Sequence, residues 1–335
     1  MRSIDIHAHM LPQALWRTLN GGQEWYGMRY DNTAKTDLYI KPGRITRIHP
    51  SLRFTPEERL RTMDDMGTEV QVVSVHTQIF GYHLAAAQGL AQAREINDEI
   101  AAMARAFPSR FVGMATLPLQ DIPAAIAELE RAVNQLGLKG AELDTVVNGK
   151  NWDEAEFLPL FKAAEAMGAV LFYHPQPQHN LVMDRINRYN LPNSVGVIVE
   201  DTMIVATLIF GGILDHCPDL KICIAHGGGP ACFGMGRLDR GWQVRSEARV
   251  NIFKPPSTYQ RRLYYDTVVM SERVLRFLID AVGIDRVVLG SDYPFVAWDP
   301  SPAGWVQSLE SLTQEEKDKI LWKNMEALLG LQTGQ

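Results

Sequence analysis

Two spacings of apolar residues alternate along the chain. Short runs rich in β-branched and aromatic residues occur at Ile4 to His9, Val70 to Val75, Phe111 to Leu117, Gly140 to Leu143 and Val170 to His174. They recur at Lys221 to Ala225, Leu263 to Val269 and Arg286 to Gly290, and such runs read as buried strands. Nearly every pair is separated by a stretch with apolar residues at three- and four-residue steps. Asp121 to Leu136 and Asp153 to Met167 are the clearest, and their stripes predict helices lying on a sheet. Thr55-Pro56-Glu57-Glu58 adds a helix start, with Thr55 as cap, Pro56 in the first turn and Glu58 completing a capping box. Eight strands alternating with helices predict an α/β fold, the closed parallel (β/α)8 TIM barrel.

One interval breaks the rhythm. Residues 10–53 are too long for an ordinary strand-to-helix connection, so they read as a lid-like insertion after the first strand of a single 1–335 domain. Trp16, Trp25, Tyr26 and Tyr30 can pack it down, and Arg29, Arg44 and Arg47 offer cations to an acidic ligand.

Hydrophobic content of 46% supports a large core, and a net charge of -6 without clustered Lys and Arg argues against nucleic acid as partner. The three cysteines, Cys217, Cys223 and Cys232, have neither an even count nor CxxC spacing, so neither a disulfide framework nor a Cys-rich zinc site is indicated. No basic-then-apolar leader precedes the first strand, and the apolar stretch Met203 to Leu214 is short for a membrane span. The expectation is a cytoplasmic protein acting on a small molecule, with no membrane partner.

Candidate chemistry sits at strand ends. In a strand alternate side chains share a face, so His7 and His9 point together while Ile4, Ile6 and Ala8 take the other side. His174 ends the fifth strand, His226 the sixth before Gly227-Gly228-Gly229, and Asp292 follows the eighth. A lone histidine in such a place is ordinarily a hydrogen-bonded structural residue. Four histidines and an aspartate at the rim where barrel enzymes gather their chemistry instead predict a metal site.

Four segments then carry a family resemblance: Ile4-Asp5-Ile6-His7-Ala8-His9-Met10-Leu11-Pro12, Arg110-Phe111-Val112-Gly113, Ala225-His226-Gly227-Gly228-Gly229 and Gly290-Ser291-Asp292-Tyr293-Pro294-Phe295. They resemble the amidohydrolase superfamily, specifically its decarboxylase branch and the α-amino-β-carboxymuconate-ε-semialdehyde decarboxylases within it. The resemblance implies one divalent metal on His7, His9, His174 and Asp292, zinc first and manganese second, with His226 outside the shell as base. It further implies a homodimer with shared active sites, in which Arg47 binds a substrate carboxylate and Arg245 reaches in from the neighbouring subunit. Phe295 joins the substrate-binding residues.

The expected activity is non-oxidative decarboxylation of a small unsaturated or aromatic carboxylic or dicarboxylic acid, such as a carboxymuconate semialdehyde or hydroxybenzoate. Breaking that bond leaves an electron pair on carbon, so the site needs a Lewis acid and a proton donor. His226 and Asp292 both qualify, and the sequence leaves the choice open. Gln176, Asn193 and Thr46 stand where the resemblance leads one to expect aromatic side chains, which points to a reshaped pocket. A mononuclear hydrolase or hydratase is the alternative. Glu142 and Asp144 end the fourth strand without a lysine, which disfavours a two-metal centre. Catalytically idle metal storage would not require a base beside the shell. His76, His83 and His179 read as pocket-wall or surface residues.

Overall fold

A computed structural model describes residues 2–31, 37–41, 44–177, 181–296, 298–299 and 301–331. All eight β-rich runs form strands: β1 Ile4–Met10, β2 Val70–Val75, β3 Phe111–Gly113, β4 Gly140–Leu143, β5 Val170–Tyr173, β6 Lys221–Ile224, β7 Tyr264–Asp266 and β8 Val287–Val288. β1 to β3 pair in parallel in that order, as do β4 to β8. Parallel bridges Ala115–Ala141 and Ala8–Tyr293 join the two sets at both seams, with Ile6 N donating to Leu289 O at 3.0 Å. The result is the expected (β/α)8 barrel. Asp5 reinforces the β1–β8 seam, accepting from Ser291 N at 2.9 Å and Ser291 Oγ at 2.5 Å.

β1 departs from simple alternation. Its register against β2 shifts between Asp5 and Ala8, and such a bulge lets neighbouring residues face the same way. Ile4 and Ile6 therefore join an interior cluster with Val72, Met114, Phe172 and Val288, while the His7 ring lies 5.2 Å from Phe172. The expectation that Ile4 and Ile6 face away from His7 is thus corrected. Met325, Leu328 and Leu329 of the helix Asn324–Leu329 extend the same cluster. Buried Arg59 ties β1 to β2 by donating to His9 O at 2.7 Å and Gln71 Oε1 at 2.7 Å, with its guanidinium over the Tyr293 ring.

The local helix signals hold. Pro56–Asp65 has the full Thr55/Glu58 capping box, and the Asp121 side chain caps Ile122–Asn134. Between β1 and that first capped helix, the insertion carries a helix, Gln13–Asn20, and an antiparallel sheet of Arg29–Tyr30, Asp37–Lys41 and Arg44–Arg47. This helix lacked a legible start because no side chain caps it; Glu99, remote in sequence, accepts from Gln13 N and Ala14 N instead. Trp16 and Trp25 are buried, and Tyr26 and Tyr30 pack against the same core. Pro192–Phe210 is longer and more apolar than its sequence reading allowed, enough to cross a membrane by length and composition. Its α-helical part, Val197–Phe210, which follows a π-helical turn at Pro192–Gly196, buries Val197, Ile204, Val205, Leu208 and Ile209, and also Glu200 and Asp201. That burial marks it as a core helix of the barrel wall.

Candidate active site

Asp292 leaves β8 with a φ of 55°, a left-handed conformation that aspartate tolerates better than most residues. Its Oδ1 is the focus of three imidazoles: Nε2 of His7 at 3.2 Å, of His9 at 3.4 Å and of His174 at 3.9 Å. Two of those rings are held from behind. His7 Nδ1 lies 2.6 Å from Asp266 Oδ2, and His174 Nδ1 lies 2.7 Å from Pro175 O. A ring that donates through Nδ1 turns the Nε2 lone pair to the centre, the arrangement seen behind metal-ligating histidines.

Orphaned buried polar atoms support a cation. His7 Nε2, His174 Nε2, His9 Nδ1 and both Glu142 carboxyl oxygens are buried without a hydrogen-bond partner among the described residues. Buried polar atoms are rarely left so. Ligand atoms about 2.0–2.1 Å from a tetrahedral ion stand about 3.3 Å apart, and the three nitrogen-to-Oδ1 distances bracket that spacing. The residues present fit one divalent metal. Glu142 stands behind His9, its Oε1 3.6 Å from Nδ1, and burial above all pushes its carboxyl up to about 8.

His226 stands two residues beyond β6 and begins four consecutive residues of positive φ: His226 at 50°, Gly227 at 61°, Gly228 at 74° and Gly229 at 56°. A Cβ on Gly229 would fall 2.2 Å from Ile198 O, so glycine is what lets this turn press against the helix Val197–Phe210. That helix supplies Asp201, whose Oδ2 is 2.9 Å from His226 Nδ1. Burial opposes a charged imidazole here, but the Asp201 carboxylate outweighs it and raises the His226 pKa. The outer nitrogen faces the cluster, and the ring is 4.9 Å from His174 and 5.3 Å from His7. Ligand atoms of His7, His174, His226 and Asp292 all lie within 4.8 Å of one another, so His226 borders the metal site with its own carboxylate behind it.

The other expected site residues divide. Phe295 stands beside the cluster at His9, its ring 6.0 Å from His9 and 4.9 Å from His76. Arg47 points outward with 85% of its side chain exposed and Asp37 at 3.6 Å. The structure brings Arg44 inward instead, buried against Gln78 and Gln176. Arg245 is exposed just after the helix Ala231–Val244. His76 lies beside His9, with ring centroids 5.8 Å apart, His83 lines a neighbouring cavity, and His179 falls outside the described residues.

Asp201 and Asp266 were not anticipated. Asp266 orients His7 and also accepts from Gly227 N at 3.1 Å, coupling the metal cluster to the His226 turn. Asp266→Asn is expected to weaken metal binding by roughly 10- to 100-fold. Competition with a chelator of known affinity measures this, and an unchanged Kd would remove Asp266 from the role.

Imidazoles and a carboxylate converging at the carboxyl rim of eight parallel strands define a metal-binding (β/α)8 barrel of the enzyme type. The amidohydrolase family model matches residues 4–331, and the chain belongs to that family. It is 33% identical to a 2-amino-3-carboxymuconate-6-semialdehyde decarboxylase from Dictyostelium discoideum, over 98% of this chain and 91% of that one. It is 28% identical to a gamma-resorcylate decarboxylase from Polaromonas sp., over 82% and 87% of the two chains. Its fold matches the crystal structure of 5-carboxyvanillate decarboxylase from Sphingomonas paucimobilis with a TM-score of 0.83 at 24% identity, covering 99% of both.

Proposed function

We propose that this protein is a divalent-metal-dependent carboxy-lyase that removes carbon dioxide, without oxidation, from a small aromatic or unsaturated carboxylic acid. The convergence of His7, His9 and His174 on Asp292, with the separate His226–Asp201 pair beside it, carries this reading. The similarity to decarboxylases acting on such acids supports it. His7, His9, His174 and Asp292 hold the ion, and three nitrogens with one carboxylate suit zinc ahead of manganese. A bound ion supplies Lewis acidity at a substrate oxygen, which stabilises the electron pair left on carbon. His226 holds the proton that replaces carbon dioxide on that carbon, and Asp201 fixes the ring's orientation and stabilises its charged form. Asp292, committed at Oδ1 to three imidazoles, is the weaker candidate for that proton.

Arg245 is kept as a carboxylate-binding residue that serves the neighbouring site of a homodimer, and Arg47, exposed on the insertion, as a cation that meets the acid on entry. Phe295 covers the substrate ring. Support for the dimer is an apolar surface on and near the Arg245 helix, where Phe233, Val244, Val250 and Phe253 are exposed. Residues 10–53 act as the lid, and the protein works in the cytoplasm.

The zinc-loaded and manganese-loaded protein is to be offered a panel of carboxymuconate semialdehydes and hydroxybenzoates, with carbon dioxide release as readout. Gas evolution with loss of one substrate carboxyl is expected. Hydrolysed or hydrated products without gas would replace this reading by the hydrolase or hydratase one.

A further inference from the structure

Just past β2, His76 caps the short helical turn Thr77–Ile79, its Nδ1 accepting from Gln78 N at 3.0 Å. A backbone N–H can only donate, so Nδ1 must carry the lone pair. The ring is therefore neutral, with its one proton on Nε2. The metal cluster is arranged the other way round. There Nδ1 of His7 faces a carboxylate oxygen of Asp266 and Nδ1 of His174 faces a carbonyl oxygen, which leaves the lone pairs at Nε2. His76 turns a hydrogen outward where those rings turn a ligand atom, so it cannot join the metal through Nε2.

That N–H is free and reachable. Nε2 of His76 makes no hydrogen bond among the described residues and, unlike Nε2 of His7 and His174, it is not enclosed; the residue as a whole is half-buried. Its surroundings belong to the reacting end of the pocket. The ring centroid is 5.8 Å from that of His9 and 4.9 Å from that of Phe295, and the ring is within electrostatic reach of His174, Asp292 and Arg44. Two residues on, Gln78 lines a cavity of about 570 Å³ together with Arg44, Asp144 and Gln176. A substrate that extends from this cavity to the metal meets the His76 N–H. Before it arrives, water can satisfy the donor; a ligand that shuts out water without offering an acceptor leaves it unpaired, which is unfavourable.

With the metal cluster taken as the reacting end of the substrate, as the proposed function has it, we infer that His76 gives a fixed, neutral N–H to a substrate oxygen other than the carboxylate that leaves. A hydrogen bond to the departing group would hold charge on it and oppose its release as neutral carbon dioxide. An oxygen conjugated with the carbon left behind gains charge as the bond breaks, so a donor placed there acts more strongly in the transition state than in the ground state. The site then selects hydroxy- or oxo-acids over acids with no further oxygen. Because Nδ1 is committed to the backbone, His76 makes this contact without exchanging a proton, and the proton that replaces carbon dioxide stays with His226.

Asparagine and serine separate this role from simple capping. Both are favoured N-caps that can accept from Gln78 N, and both are too short to return a donor to the place of Nε2. The zinc-loaded protein is to be titrated calorimetrically with salicylate and with benzoate, which requires no turnover. The metal itself favours salicylate, so the readout is the part of that preference that depends on His76. His76→Asn is expected to lower the salicylate-to-benzoate affinity ratio by roughly 3- to 10-fold, the range of one hydrogen bond, with benzoate affinity and metal content unchanged. His76→Ser should do the same and provides the test if His76→Asn does not fold. His76→Gln, whose longer amide brings an N–H back, should recover part of the ratio. An unchanged ratio in the folded, zinc-loaded His76→Asn or His76→Ser protein would make His76 a cap alone and overturn the inference, as would no measurable binding of either acid to the wild-type chain. Carbon dioxide release is scored separately. A His76-dependent ratio without gas leaves the contact standing and removes the decarboxylase reading; gas with a ratio that neither short substitution changes does the reverse.

Discussion

Exchanging His226 for asparagine lowers kcat by roughly 10²- to 10⁴-fold while the metal stays bound. Asparagine isolates the chemical role. It accepts the left-handed backbone that His226 adopts at a φ of 50° better than alanine does, and its amide can still donate to Asp201. What disappears is the nitrogen that faces the cluster and can carry a proton to carbon. Metal content by plasma mass spectrometry and carbon dioxide release are to be measured on the same preparation. Metal lost together with activity would make His226 a ligand, in keeping with its place within 4.8 Å of the His7, His174 and Asp292 ligand atoms. Near-normal turnover with metal retained would pass the proton to Asp292.

The metal cluster was legible because strand ends are where sequence and geometry stay closest. His7, His9, His174 and Asp292 each stand in or just beyond a β-rich run, and a parallel barrel delivers all such positions to one rim. The residues that orient them were harder to read. Asp266 obeys the same rule, but the seventh β-rich run continues in sequence to Val269 while the strand ends at Asp266, so the carboxylate behind His7 reads as a mid-strand residue. Asp201 sits inside an apolar helix, where a single acid gives no sign of a partner on β6. The bulge in β1 was invisible because a period of two cannot register one extra residue. Arg44 and Arg47 differ by an odd step on one short strand, so only one could turn inward. Which one depended on the register of the insertion's sheet, and the pattern of residues 37–47 does not set it.

Asp292→Ala removes the anion around which the three imidazoles are arranged, and it is expected to weaken metal binding beyond the roughly 10- to 100-fold assigned to Asp266→Asn, with turnover lost. The effect can be read from stability as well as from activity. A ligand that binds only the folded chain stabilises it by RT ln(1 + [L]/Kd), about 2.7 kcal/mol when free metal is a hundredfold above Kd. If Kd rises a hundredfold at the same free metal, the increment falls to about 0.4 kcal/mol. Denaturant unfolding with and without chelator should therefore show a clear loss of stability for the wild-type chain and almost none for Asp292→Ala. Because each protein is compared with itself, any direct effect of the substitution on packing cancels. Chelation of the wild-type chain should also stop turnover, and added zinc or manganese should restore it. A full chelator-sensitive increment in Asp292→Ala would mean that this carboxylate is not a ligand, and that the three imidazoles, with His226 or Glu142, hold the ion by themselves.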